Sequence, residues 1–75
     1  MASLNARFGR TLRARRAKAG YSQESFADAI RVHRTYMGTL ERGDGNPTLD
    51  MIVRIARGLD VSLSELFTAV EKDPG

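Results

Sequence analysis

The apolar positions of this chain recur with the spacing of helices, and no stretch alternates as a strand does. Leu4, Phe8, Leu12 and Ala19 form a stripe at i, i+4, i+8 and i+15, which predicts a first helix over residues 4–19 with Ser3 as its cap. Arg15 falls in that stripe by angle, a local conflict met either by snorkelling or by the helix leaving the core at that point. Gly20 supplies a left-handed stop. Ser22 opens a second helix as N-cap, with Gln23 and Glu24 in its first turn and Phe26, Ala27 and Ile30 as its buried face. A turn at residues 31–33 leads into a third helix that runs to about Arg42 and stops at Gly43. Its Met37 and Leu40 face inward beside Tyr36, while Arg34, Thr35 and Thr39 project elsewhere.

Residues 43–47 form a tight loop rich in Gly, Asn and Pro. Thr48 then caps a fourth helix with the stripe Leu49, Ile52, Ile55, Ala56 and Leu59. Ser62 and Glu65 stand at capping-box spacing for a short fifth helix carrying Leu63, Leu66, Phe67 and Val70. The polar tail, residues 71–75, is expected to fray, leaving a core of about residues 4–70 in one domain spanning 1–75. Five short helices without a strand pattern predict an all-α fold, and no internal repeat or low-complexity tract interrupts it.

Composition narrows the class. Seventy-five residues make one domain whose core is marginal without help, and the absence of cysteine rules out disulfides or thiolate-bound metal as that help. A hydrophobic fraction of 41% suits a packed domain and not a disordered tail. Association with a second copy is the remaining stabiliser. The last two helices carry more apolar residues than one inner face requires, so Met51, Leu63, Phe67 and Val70 are candidates for a two-fold interface. For Phe67, closure of the monomer core is the competing assignment.

The net charge of +3 conceals a division. Residues 1–42 hold nine Arg and Lys against three acidic residues, whereas residues 43–75 hold three against six. One basic and one acidic half point to a polyanionic partner on one side, with solvated helix faces as the plain alternative. No apolar run approaches the roughly 18–20 residues of a bilayer span, and the N-terminus has no signal-peptide pattern, so a cytoplasmic location is expected. His33 is the single histidine, so no metal site or other cofactor is expected. No motif groups Ser, His and Asp for catalysis, and the glycines at 43 and 45 lack the pattern and preceding strand of a phosphate loop. The chain is therefore expected not to be an enzyme.

The run from Gly20 to Phe67 resembles the helix-turn-helix domain of the phage-repressor-like (xenobiotic-response-element) regulators. The resemblance rests on Ser22-Gln23-Glu24, Phe26-Ala27, Leu40-Glu41-Arg42-Gly43, Asn46-Pro47-Thr48 and Ser64-Glu65-Leu66-Phe67, and it covers about residues 8–68. Within that family the segment from His33 to Gly43 is most similar to the controller proteins of restriction–modification systems, through Arg34-Thr35-Tyr36 at the head of the recognition helix.

The resemblance implies a compact five-helix, lambda-repressor-like fold and a homodimeric, sequence-specific transcription regulator. Its partner would be a double-stranded DNA operator in the protein's own promoter, taken by one or two dimers, and RNA polymerase is a further candidate partner near Glu24, Asp28 or the end of the third helix. Carried over by position, it assigns base contacts to Arg34, Thr35, Tyr36 and Thr39, and phosphate contacts to Gln23, Arg42, Asn46 and Thr48. Arg16 and Glu41 match a pair that bridges the first and third helices. The family has Gly, or sometimes Asn, where this chain has Arg31. If that turn is left-handed, a side chain there costs roughly 1–2 kcal/mol, unless the turn is built differently or Arg31 offsets the cost by contacting phosphate. A phage-type repressor or antitoxin, and a protein-interaction adaptor that does not bind DNA, remain the alternative readings.

Overall fold

The computed structural model describes residues 2–74 and contains five helices: α1 (Leu4–Lys18), α2 (Gln23–Ala29), α3 (Arg34–Glu41), α4 (Leu49–Gly58) and α5 (Leu63–Lys72). Each helix opens in the same way. The residue before it is extended, and its side chain accepts a hydrogen bond from a backbone N–H of the first turn: Ser3 from Ala6, Ser22 from Ser25, His33 from Thr35, Thr48 from Met51 and Ser62 from Glu65. These bonds satisfy donors that have no partner inside the helix. At α2 the cap is reciprocal, since the Ser25 hydroxyl accepts from the Ser22 amide in turn. His33 caps α3 through Nδ1, 3.1 Å from the Thr35 nitrogen, which places the proton of a neutral ring on Nε2.

Three of the four joints share one construction. Gly20, Arg31 and Asp60 follow α1, α2 and α4 in the left-handed region, at φ of 89°, 59° and 58°. In each case the next residue is apolar and donates its N–H five residues back: Tyr21 to Arg16, Val32 to Ala27 and Val61 to Ala56. Tyr21, Val32 and Val61 then pack on the core, and the residue after each is the cap of the next helix. This is the Schellman arrangement with its hydrophobic contact, and each of these joints, 19–22, 30–33 and 59–62, is four residues long. The turn at Arg31 is therefore left-handed. The joint after α3 begins similarly, with Gly43 at φ 80° and Asp44 donating to the Thr39 carbonyl, and then continues through residues 45–47.

The core is Phe8, Leu12, Phe26, Ala27, Ile30, Met37, Leu40, Ile55, Ala56, Leu59, Leu66 and Val70. α1 packs on α3 and α5, α2 on α3, and α4 on α5. Several edges of the predicted stripes lie outside this core. Leu4 and Ala19 are exposed, and Leu49 is 80% exposed because it begins α4 before that helix reaches its neighbours. Arg15 is only partly covered; the guanidinium that turns inward at this end of α1 belongs to Arg16.

Two further expectations require correction. Val70, a candidate for a subunit interface, is fully enclosed within its own chain and leaves no side-chain surface for a partner. The tail is not wholly irregular from residue 71. α5 continues to Lys72, and Asp73 accepts two hydrogen bonds from Arg10 of α1, at 2.7 and 3.0 Å. Gly75, the end of that tail, lies outside the described residues. The Arg10 guanidinium is held above its usual range by the hydrogen bonding it donates to Asp73.

Candidate nucleic-acid interface

α3 is short, and its orientation is set from its C-terminal end. Glu41 is its last residue and its side chain is 4% exposed. Both carboxylate oxygens accept from Arg16 of α1, Oε2 from Nε at 2.6 Å and Oε1 from Nη2 at 3.0 Å. Arg16 also donates from Nη1 to the Tyr21 carbonyl in the first joint, and Gln23 of α2 donates from Nε2 to Glu41 Oε1 at 3.1 Å. One carboxylate thus ties α1, the first residue of α2 and the end of α3 together. The hydrogen bond to Glu41 holds the Arg16 guanidinium above its ordinary range against the opposing effect of burial.

With its end held in this way, α3 divides into two faces. Met37, Gly38 and Leu40 are buried, whereas Arg34 and Thr35 at the amino end are exposed. Thr39 is half-buried; its hydroxyl donates to the Thr35 carbonyl at 3.0 Å and its oxygen accepts from Arg42 Nη2 at 3.5 Å. Tyr36 is also half-buried and packs against the core. Exposed polar side chains at the amino end of a helix anchored at its other end can enter a major groove and reach base edges.

The residues expected at phosphates are dispersed around this ridge. Arg42 caps the end of α3 and is exposed, as are Asn46 in the following loop and Thr48 at the start of α4. The Thr48 oxygen is occupied as a cap acceptor, and its hydroxyl proton remains available to donate. Gln23 is half-buried, and the bond to Glu41 leaves one N–H of its amide for another acceptor. Arg31 is exposed and lines a shallow recess with Arg54 and Arg57 of α4, residues for which the sequence suggested no role.

Two carboxylates on this surface were not singled out as partners of these arginines. Glu24 of α2 accepts from Arg34 Nη1 at 3.0 Å, and Asp44 accepts from Arg42 Nε at 3.2 Å. All four side chains are more than half exposed, so neither ion pair adds much to stability. Glu24 and Arg34 lie ten residues apart on different helices, a separation that carries no periodic signal.

The candidate subunit surface lies on α4 and α5. Leu63 is 43% exposed, and Met51 and Phe67 are partly covered. Phe67 lies against Phe8 with ring centroids 6.4 Å apart, so one side of it closes the monomer core. Among the described residues no group of three or more His, Cys, Asp or Glu is placed to hold a metal ion, and no helix is long and apolar enough to cross a membrane.

Comparison with known proteins agrees with this geometry. The helix-turn-helix family matches residues 12–66. The control protein C.MunI of Mycoplasma sp. is 42% identical over 97% of this chain and 100% of its own length. The structure of the restriction–modification controller protein C.AhdI from Aeromonas hydrophila superposes with a TM-score of 0.80 at 40% identity, covering 84% of this chain and 96% of that one. The restriction–modification controller protein C.Esp1396I, solved as a tetramer with its natural 35 base-pair operator, gives a TM-score of 0.87 at 27% identity, covering 97% of this chain and 96% of that one. The chain belongs to the helix-turn-helix family and, within it, to the group of restriction–modification controller proteins.

Proposed function

We propose that this protein is a homodimeric controller that binds operator DNA upstream of its own gene and regulates transcription there. The observation that carries the proposal is the division of α3, whose exposed amino end bears Arg34 and Thr35 while its far end is clamped through Glu41. In this assignment Arg34 reads guanine through O6 and N7, and the methyl groups of Thr35 and Thr39 meet thymine. Tyr36 reaches a base or the neighbouring sugar-phosphate. Gln23, Arg31, Arg42, Asn46 and Thr48 hold phosphates and set the register without reading sequence.

One such module covers few base pairs, and a two-fold pair with recognition helices about 34 Å apart supplies usable specificity. Met51, Leu63 and Phe67 provide the self-complementary apolar surface for that pair. The operator complex of C.Esp1396I contains four copies, which supports binding of two dimers at higher occupancy. Concentration of the protein is then its own input: activation at low occupancy, with RNA polymerase as the contacted partner, and repression when the second dimer is seated. The site of action is the cytoplasm.

The test is a gel shift on duplex DNA from upstream of the gene, with a random-sequence duplex as control, across a salt series. Preferential binding that weakens steeply with salt supports the proposal. Loss of that binding in Arg34→Ala, with the circular dichroism spectrum unchanged, assigns it to α3. Absence of binding to either duplex at low salt would leave the protein-adaptor reading.

A further inference from the structure

The base-reading arginine of the proposed interface is already engaged by a carboxylate in the free chain. Arg34 is the first residue of α3, and its Nη1 lies 3.0 Å from Oε1 of Glu24 in the first turn of α2. Glu24 immediately follows Gln23, a residue assigned to phosphate. A carboxylate beside a DNA backbone is repelled by it, so Glu24 costs the complex electrostatic affinity. The geometry shows what can offset that cost.

A guanidinium presents five N–H donors in a rigid planar fork, and the bond to Glu24 is made from Nη1. The remaining donors stay free for the paired acceptors O6 and N7 of guanine. Without a partner, the long and flexible Arg34 side chain satisfies itself on any nearby phosphate, whatever the base sequence. With Glu24 in place that route is opposed twice, because the carboxylate holds one edge of the guanidinium and repels the competing phosphate. The pair is solvated in the free protein, with side-chain exposures of 59% and 63%, and contributes little to folding. Once DNA covers it and water leaves, the same contact strengthens.

We infer that Glu24 is a specificity-determining residue, a positioning residue that directs Arg34 to base edges and away from phosphate. This inference rests on the DNA-reading function proposed above.

The experiment first selects duplexes from a randomised pool with the wild-type chain. It then measures binding of the enriched duplex and of a scrambled duplex of equal composition by wild type and Glu24→Gln. The expected result is that Glu24→Gln binds the scrambled duplex more tightly and that its preference for the enriched duplex falls about five- to tenfold. Glu24→Asp retains part of the preference, and in an Arg34→Ala background Glu24→Gln no longer changes it. Unaltered thermal unfolding of Glu24→Gln separates these effects from misfolding. Equal tightening on both duplexes, no change on either, or an undiminished effect in the Arg34→Ala background would overturn the inference and leave the DNA-reading function standing. Failure of the wild-type chain to enrich any sequence would overturn that function, and this inference with it.

Discussion

Gly9 of α1 crosses directly over the end of α3 at Leu40. A β-carbon on Gly9 would stand 2.5 Å from the Leu40 carbonyl oxygen and 2.6 Å from that of Glu41, closer than side chains approach backbone. The missing side chain therefore sets how near the two helices lie, and with it the distance across which Arg16 reaches Glu41. Gly9→Ala is expected to destabilise the fold by about 1–3 kcal/mol, although alanine is the better helix former. Thermal unfolding followed by circular dichroism measures this. An unchanged or raised Tm would show that the crossing can open without cost.

The Arg16–Glu41 clamp leads to a prediction about paired substitution. Removing one member strands a nearly buried charge, at a cost of about 3–5 kcal/mol. Glu41→Ala also releases the Gln23 amide, so it is expected to unfold the domain in mild urea. The double replacement Arg16→Met with Glu41→Leu removes both charges together and is expected to recover much of the lost stability. Denaturant titrations of the three variants check this, and additive losses would contradict the coupling.

Arg31 occupies a left-handed conformation at φ 59°, which glycine adopts without steric cost. Arg31→Gly is expected to be neutral to stabilising, by up to about 1 kcal/mol, because relief of strain exceeds the added freedom of the unfolded chain. If Arg31 also holds a phosphate, the same variant binds DNA more weakly, and its salt dependence loses about one counterion. A melting curve and a salt titration separate the two effects.

Leu63 and Val70 lie on one helix and are expected to respond differently. Leu63 is exposed in the single chain and Val70 is fully enclosed. Leu63→Glu is expected to leave the fold intact while shifting the protein from dimer to monomer in sedimentation velocity. Val70→Ala opens a cavity and lowers Tm with little effect on the dissociation constant of the dimer. A dimeric Leu63→Glu variant would place the two-fold surface elsewhere.

Much of the fold is legible because its signals are local. Ser3, Ser22, Thr48 and Ser62 are caps whose bonds reach three residues ahead, and Gly20 and Gly43 stop helices beside them. His33 was less readable, since histidine is an unusual cap, and Asp60 was missed because it breaks the glycine pattern at a joint built like the other two. Gly9 gave a faint signal, a glycine inside a helical run, which becomes interpretable only once α3 is seen to cross there. The Arg16–Glu41 pair came from family resemblance, because residues 25 apart have no spacing that would indicate contact.

The sequence by itself determined the five helices, most of their caps, Phe8 and Leu12 as the inward residues of α1, the inward stripes of α2 and α3, and the exposed Arg34 and Thr35 at the head of α3. Each of these depends on residues within about one or two turns of each other, where the backbone fixes the geometry. The tertiary structure alone decided that Val70 is enclosed, that Leu49 is exposed, that Asp73 ties the tail to α1, and that Glu24 holds Arg34. A stripe says which side of a helix is apolar. How far along that side a neighbour extends, and which charges meet across the crossing, follows from the four-residue joints that set how the helices pack.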